Sequence, residues 1–255
     1  MAGQFPDRAL LPAALVQAAA PLVHRLHAGA QPIGGPSVDP LMRAPEQPPG
    51  IFFAIWGPIF AAMIGFGVFA FVKRDHVAIR MAPPLTLAAA LGTVWMLLEQ
   101  FAPASPLGFP VLAGLAAAAW WAAARFEAMR GLGGSPAKFM ADLASGLLAG
   151  WMSVAVAISL PDLIRGPAGL APTDAVWPML ALVLGFAGVA AWAARRAVTS
   201  SPWFTLALAW GLVGLAINNW TLTQLHLPAL AAGLAAVLVL RYGFMGAPHA
   251  VRART

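Results

Sequence analysis

The sequence predicts an all-α polytopic membrane helix bundle of about eight transmembrane helices. Three observations carry that reading. Of 255 residues, 60% are hydrophobic and only 9% charged, where a soluble domain carries roughly 25%. The apolar residues fall into charge-free runs close to the roughly 20 residues that a membrane helix needs. The Lys and Arg sit mainly in short segments between those runs, the placement that fixes orientation in a bilayer. Together these exclude a soluble enzyme, a disordered tail and a nucleic-acid-binding domain, despite the net charge of +6. The absence of Cys excludes disulfides, zinc–thiolate sites and iron–sulfur clusters.

Residues 9–26 are apolar but interrupted by Pro12, Gln17 and Pro21. They read either as a first membrane helix or as a cleaved signal peptide ending near Ala28-Gly29-Ala30. A Pro- and Gly-rich loop at 28–50 follows and is the natural candidate for a lid. Residues 47–72 form the second run, ending at Lys73-Arg74-Asp75, and 81–98 the third, ending at Glu99. The turn Pro103-Ala104-Ser105-Pro106 precedes a fourth span that ends by 124. Residues 143–161 make the fifth, closed by Pro161-Asp162, and 175–194 the sixth, closed by Arg195-Arg196. The stretch 199–240 is too long for one helix, and Asn218, Asn219, His226 and Pro228 divide it into two. With the N-terminus in the cytoplasm, this alternation leaves only Arg25, Arg43 and Arg165 of the 15 bases outside. Both termini are then cytoplasmic, and the all-helical build favours the bacterial inner membrane.

Trp occurs 10 times. Trp177, Trp192, Trp203 and Trp220 fall near span ends, where an interfacial aromatic belt explains them. Trp95, Trp120, Trp121, Trp151 and Trp210 fall nearer span centres, where each indole N–H needs a partner. They either pack helices together or wall a flat apolar ligand. The second span favours the wall: Phe52, Trp56, Phe60 and Met63 recur at helical spacing and form one aromatic face. Gly57-Pro58 within it removes a backbone hydrogen bond and permits close approach by another element.

These residues resemble the TspO/MBR family, the tryptophan-rich sensory proteins and the translocator protein. The family's second-helix motif Phe-Gly-Pro-Val-Trp is similar to Trp56-Gly57-Pro58-Ile59-Phe60, with the aromatics exchanged. Its third-helix Leu-Asn-x-x-Trp resembles Leu91-Gly92-Thr93-Val94-Trp95, with Gly for Asn. Its fifth-helix Trp-Val-Ser-Phe-Ala resembles Trp151-Met152-Ser153-Val154-Ala155. In a longer branch of the family the second helix begins Pro-Ala-Gly-Tyr-x-Phe-x-Ile-Trp-Gly, similar to Pro49 through Gly57. The resemblance implies a five-helix bundle, often a homodimer, that binds porphyrins and other flat apolar ligands beneath the first loop. On this reading residues 1–165 are that bundle, 166–246 are three additional transmembrane helices, and 247–255 are a basic cytoplasmic tail. Carried over by motif, Trp56, Pro58, Phe60, Trp95, Trp151 and Ser153 line or support the pocket, and Phe52 joins them through the aromatic face.

Other chemistry is sparse. Glu99 is either an end-of-helix carboxylate or a functional group at membrane depth. Asp142 suits a helix N-terminus, and Asn218-Asn219 suit interhelical bonds. His24 and His27 lie one helical turn apart near the loop and read as interfacial. No catalytic or metal-binding motif is present in the sequence, and no cofactor is obligatory. The expected partners are the lipid bilayer and a hydrophobic small molecule, with a porphyrin or other tetrapyrrole foremost. A TspO-like sensor or receptor is the first reading. A small transporter or permease for a hydrophobic molecule is the alternative, and photodegradation of a bound tetrapyrrole by pocket Trp residues is a third.

Overall fold

The computed structural model describes residues 8–26, 43–73, 76–103, 105–131 and 135–245. All regular structure among them is helical. Helix α1 spans Leu10–Ala19 and continues as a 3₁₀ stretch, Ala20–Leu26. A second 3₁₀ stretch, Gly50–Ile55, leads into α2, Trp56–Lys73. Then follow α3 (His76–Phe101), α4 (Gly108–Glu127), α5 (Pro136–Ala168), α6 (Val176–Ala193), α7 (Pro202–Ile217) and α8 (His226–Met245). Helices α6 and α7 each end in a π-helical turn, Ala194–Val198 and Asn218–Leu222.

Seven of these helices are long and apolar enough to cross a membrane, and the chain is an integral membrane protein. The eighth, Leu10–Leu26, is shorter. Its α part rises about 15 Å and its 3₁₀ part about 14 Å, which together nearly match a hydrocarbon core of about 30 Å. Leu10, Ala14, Gln17 and Ala20 bury one of its faces against α2 and α3. Gln100 holds the 3₁₀ part by donating to the Ala20 carbonyl (2.9 Å) and accepting from the His24 amide (2.9 Å).

Helix α5 is the spine, in contact with α2, α3, α4, α6 and α7. It begins at the Ser135 cap, whose hydroxyl accepts from the Lys138 amide, with Pro136 in the first turn. The expected stop at Pro161-Asp162 does not occur. The helix runs on to Gly169, whose left-handed backbone (φ 65°) closes it. Pro161 is buried inside the bundle, where neighbouring helices compensate for a lost backbone bond. The extension has a consequence for the site, because it carries Asp162 and Arg165 on the same helix as Trp151.

The last three helices share the core of the first five. Helix α7 lies along α5 through glycines on both sides. A methyl at Gly150 would come within 2.3 Å of the Phe204 carbonyl oxygen, and one at Gly211 within 2.5 Å of Val154. Such small-residue seams let membrane helices approach to backbone contact. Gly57 behaves differently from the sequence-based expectation: a methyl there would meet open space, so it permits no close approach.

At one end of the bundle Arg130 bonds Glu127 (2.8 Å) and Asp142 (3.0 Å), and Glu127 accepts from the Ser200 amide and hydroxyl. Burial works against the Arg130 charge, but Asp142 and Glu127 outweigh it and hold its pKa above the usual arginine value. Asp142 thus ties α5 to the α4–α5 turn through Arg130 rather than only facing a helix dipole, and Glu127 ties the end of α4 to the α6–α7 turn. Trp177, Trp192 and Trp220 are exposed, as an aromatic belt requires, whereas Trp203 packs edge-on against Phe139.

Candidate functional site

A cavity of about 570 Å³ opens at the end of the bundle opposite the Arg130 cluster, within the usual range for small-molecule sites. Helix α5 supplies its longest wall. Trp151, Ala155, Ile158, Asp162 and Gly166 line it at intervals of four, three, four and four, one face of a helix that ignores Pro161. Helix α3 contributes Trp95 and Glu99, one turn apart, and α4 contributes Gly108, Phe109 and Leu112. Phe53 enters from the 3₁₀ stretch before α2, and Ala44, Glu46 and Gln47 close the cavity from the segment 43–49.

That closing segment is tied down by polar side chains. Glu46 and Arg165 form an ion pair in which both side chains are at least 96% buried. The same guanidinium donates to the Asp174 carbonyl beyond α5. From the other side, Asn218 donates to the Pro45 carbonyl (3.1 Å) and Asn219 to the same oxygen (2.6 Å). Arg43 donates to Asn218 Oδ1 and to the Pro48 carbonyl, and burial lowers its pKa from the usual arginine value. The π-helical turn at the end of α7 sets both Asn side chains toward the segment. The strap over the cavity is therefore held by α5 and by α7, which gives the last three helices a place in the site.

The motif residues divide into three groups. Trp95 and Trp151 line the cavity together. Trp56 and Phe60 stand behind Trp95: Trp56 stacks on Trp95 at 6.4 Å and on Phe60 at 5.3 Å. Pro58, Phe52 and Ser153 lie elsewhere. Pro58 is exposed on the outer face. Phe52 packs on Trp210 at 4.7 Å, and its carbonyl accepts the Trp210 indole N–H at 2.8 Å. Ser153 accepts the Trp120 indole N–H at 3.0 Å beside a separate groove that includes Ala116 and Phe186. Residues 27–42, which hold His27 and most of the expected lid, lie outside the described residues.

Phe52 leaves the expected aromatic face for a geometric reason. It lies in a 3₁₀ stretch, where residues three apart eclipse, so the α-helical spacing from Phe52 to Trp56 does not apply. Phe53 takes the cavity position and meets Trp151 edge-on at 5.6 Å. The Pro48-Pro49 pair directly before Gly50 was the available signal that this segment is not a regular α-helix.

Gly92, which stands where the resembling motif has Asn, leaves room for a side chain from another helix. A methyl at Gly92 would fall 2.1 Å from the Gln17 amide nitrogen. The wholly buried Gln17 amide has no partner among the described residues, and neither has the Trp56 indole N–H. A polar side chain from α1 thus fills the space beside Trp95. Among the described residues no group of His, Asp and Glu could hold a metal ion.

A family model described as TSPO-like protein matches residues 15–244. The match runs from α1 through α8. No curated protein and no solved structure matches the chain.

Proposed function

Because this chain belongs to the TSPO-like protein family, we propose that it is a membrane receptor or sensor for a flat apolar ligand, foremost a tetrapyrrole. The observation that carries the reading is that Trp95 and Trp151, from two different helices, face one cavity under a tethered strap. Indole and phenyl faces offer broad, rigid stacking surface to a planar ring. Trp56 and Phe60 stiffen the Trp95 wall by stacking behind it. The distribution of Lys and Arg supports a bacterial inner-membrane protein with both termini in the cytoplasm. The output is regulatory, through sequestering the ligand or handing it on.

Tryptophan quenching by protoporphyrin IX in lipid nanodiscs tests this. Trp95→Ala and Trp151→Ala should each weaken binding about tenfold, the loss of one stacking wall being worth roughly 1.4 kcal/mol. Trp177→Ala, on the outer face, should leave it unchanged. Equal affinity in all four proteins would remove the cavity from the account.

A further inference from the structure

The cavity's charge distribution says what kind of flat molecule it selects. Two carboxylates, Glu99 from α3 and Asp162 from α5, line it together with Trp95, Trp151 and Phe53. Neither has a hydrogen-bond or ion-pair partner among the described residues. No Lys, Arg or His lines the cavity among the described residues. The Arg165 guanidinium, on the same helix as Asp162, is engaged by Glu46 and by the Asp174 carbonyl. The third acidic wall residue, Glu46, is neutralised by that same pair. The cavity thus combines two carboxyl side chains that have no basic partner with aromatic faces, and indole faces themselves attract cations.

We propose that the cavity is a binding site for flat aromatic organic cations, its rings stacking on Trp95 and Trp151 while Glu99 and Asp162 hold the positive group. This rests on the flat-ligand reading above and specifies its charge. A tetrapyrrole is then held by its ring, while propionate arms work against the two carboxylates. Cationic or uncharged arms suit the site better.

Two dyes with the same xanthene ring and opposite charge separate these effects. Rhodamine 6G (a cation) and fluorescein (an anion) are titrated against the full chain in phosphatidylcholine nanodiscs, with empty nanodiscs subtracted. Rhodamine 6G should bind at least about tenfold tighter than fluorescein. In Glu99→Gln/Asp162→Asn the ratio should fall toward one, and Glu99→Asp should retain the preference. Equal affinity for the two dyes in the unaltered protein, tighter fluorescein binding, or an unchanged ratio in the double variant would overturn the proposal. The uncharged dimethyl ester of protoporphyrin IX is titrated alongside. If it binds while the dyes show no charge preference, the charge assignment fails and the flat-ligand site stands. If neither dye nor ester binds, both fall.

Discussion

Glu46→Gln should destabilise the protein by roughly 3–5 kcal/mol, the usual cost of leaving one member of a buried ion pair unmatched. The Arg165 guanidinium would remain almost wholly enclosed with its carboxylate counter-charge gone, left with neutral acceptors, the introduced amide oxygen and the Asp174 carbonyl. Thermal unfolding followed by intrinsic fluorescence should show a large fall in Tm. The strap's anchor to α5 would also weaken, leaving Asn218 and Asn219 as its main tether. Ligand release should therefore accelerate more than ligand association slows. Replacing both partners by apolar residues of similar volume, Glu46→Leu/Arg165→Met, should recover most of the stability, since a buried pair often does no better than a hydrophobic one. A single variant as stable as the parent would show that the pair contributes nothing to the fold.

Gly150→Leu should separate α7 from α5. Even a methyl at this position would lie 2.3 Å from the Phe204 carbonyl oxygen and 2.9 Å from the Ala207 Cβ. Backbone cannot give way as a flexible side-chain tip can, so the expected loss is at or above the roughly 3 kcal/mol upper end for overpacked cores. Because Asn218 and Asn219 sit at the end of α7, the displacement should reach the strap and weaken ligand binding at a distance. Gly57→Leu provides the contrast, with open space around its Cβ, and should leave both stability and binding close to the parent. Unfolding midpoints of the two variants, measured in the same nanodiscs, decide this. Equal midpoints would mean that the last three helices do not dock through the glycine seam.

Much of the architecture was legible from charge and turn residues. The charge-free runs located five of the helices and the stretch that holds α7 and α8, because a charged side chain at membrane depth is expensive, and Asn218, Asn219, His226 and Pro228 divided that stretch. The helix ends were less legible. Pro161 looked like a terminator, yet the core around it sustains α5 for another two turns. In the site, Trp95 and Trp151 were found by motif, and Trp56 with them as support. Phe53 was hidden because the 3₁₀ geometry before α2 shifts the helical period. Glu46, Arg165 and Asn219 were hidden for a different reason. Their partners lie 119 and 174 residues away along the chain, and several are backbone carbonyls, which leave no trace in residue types. Ser153 had an ordinary structural use: it satisfies the Trp120 indole, a half-buried donor that a bilayer cannot hydrate.

The location of the ligand is tested most directly by photo-crosslinking. A flat tetrapyrrole analogue carrying a diazirine is bound to the full chain in nanodiscs, illuminated, and its adducts are mapped by peptide mass spectrometry. Adducts on Phe53, Trp95, Phe109 and Trp151, suppressed by excess unlabelled ligand, are the predicted result. Competable adducts confined to the outer groove at Ala116, Trp120 and Phe186 would place the ligand on the lipid-facing side of α4 and contradict the account.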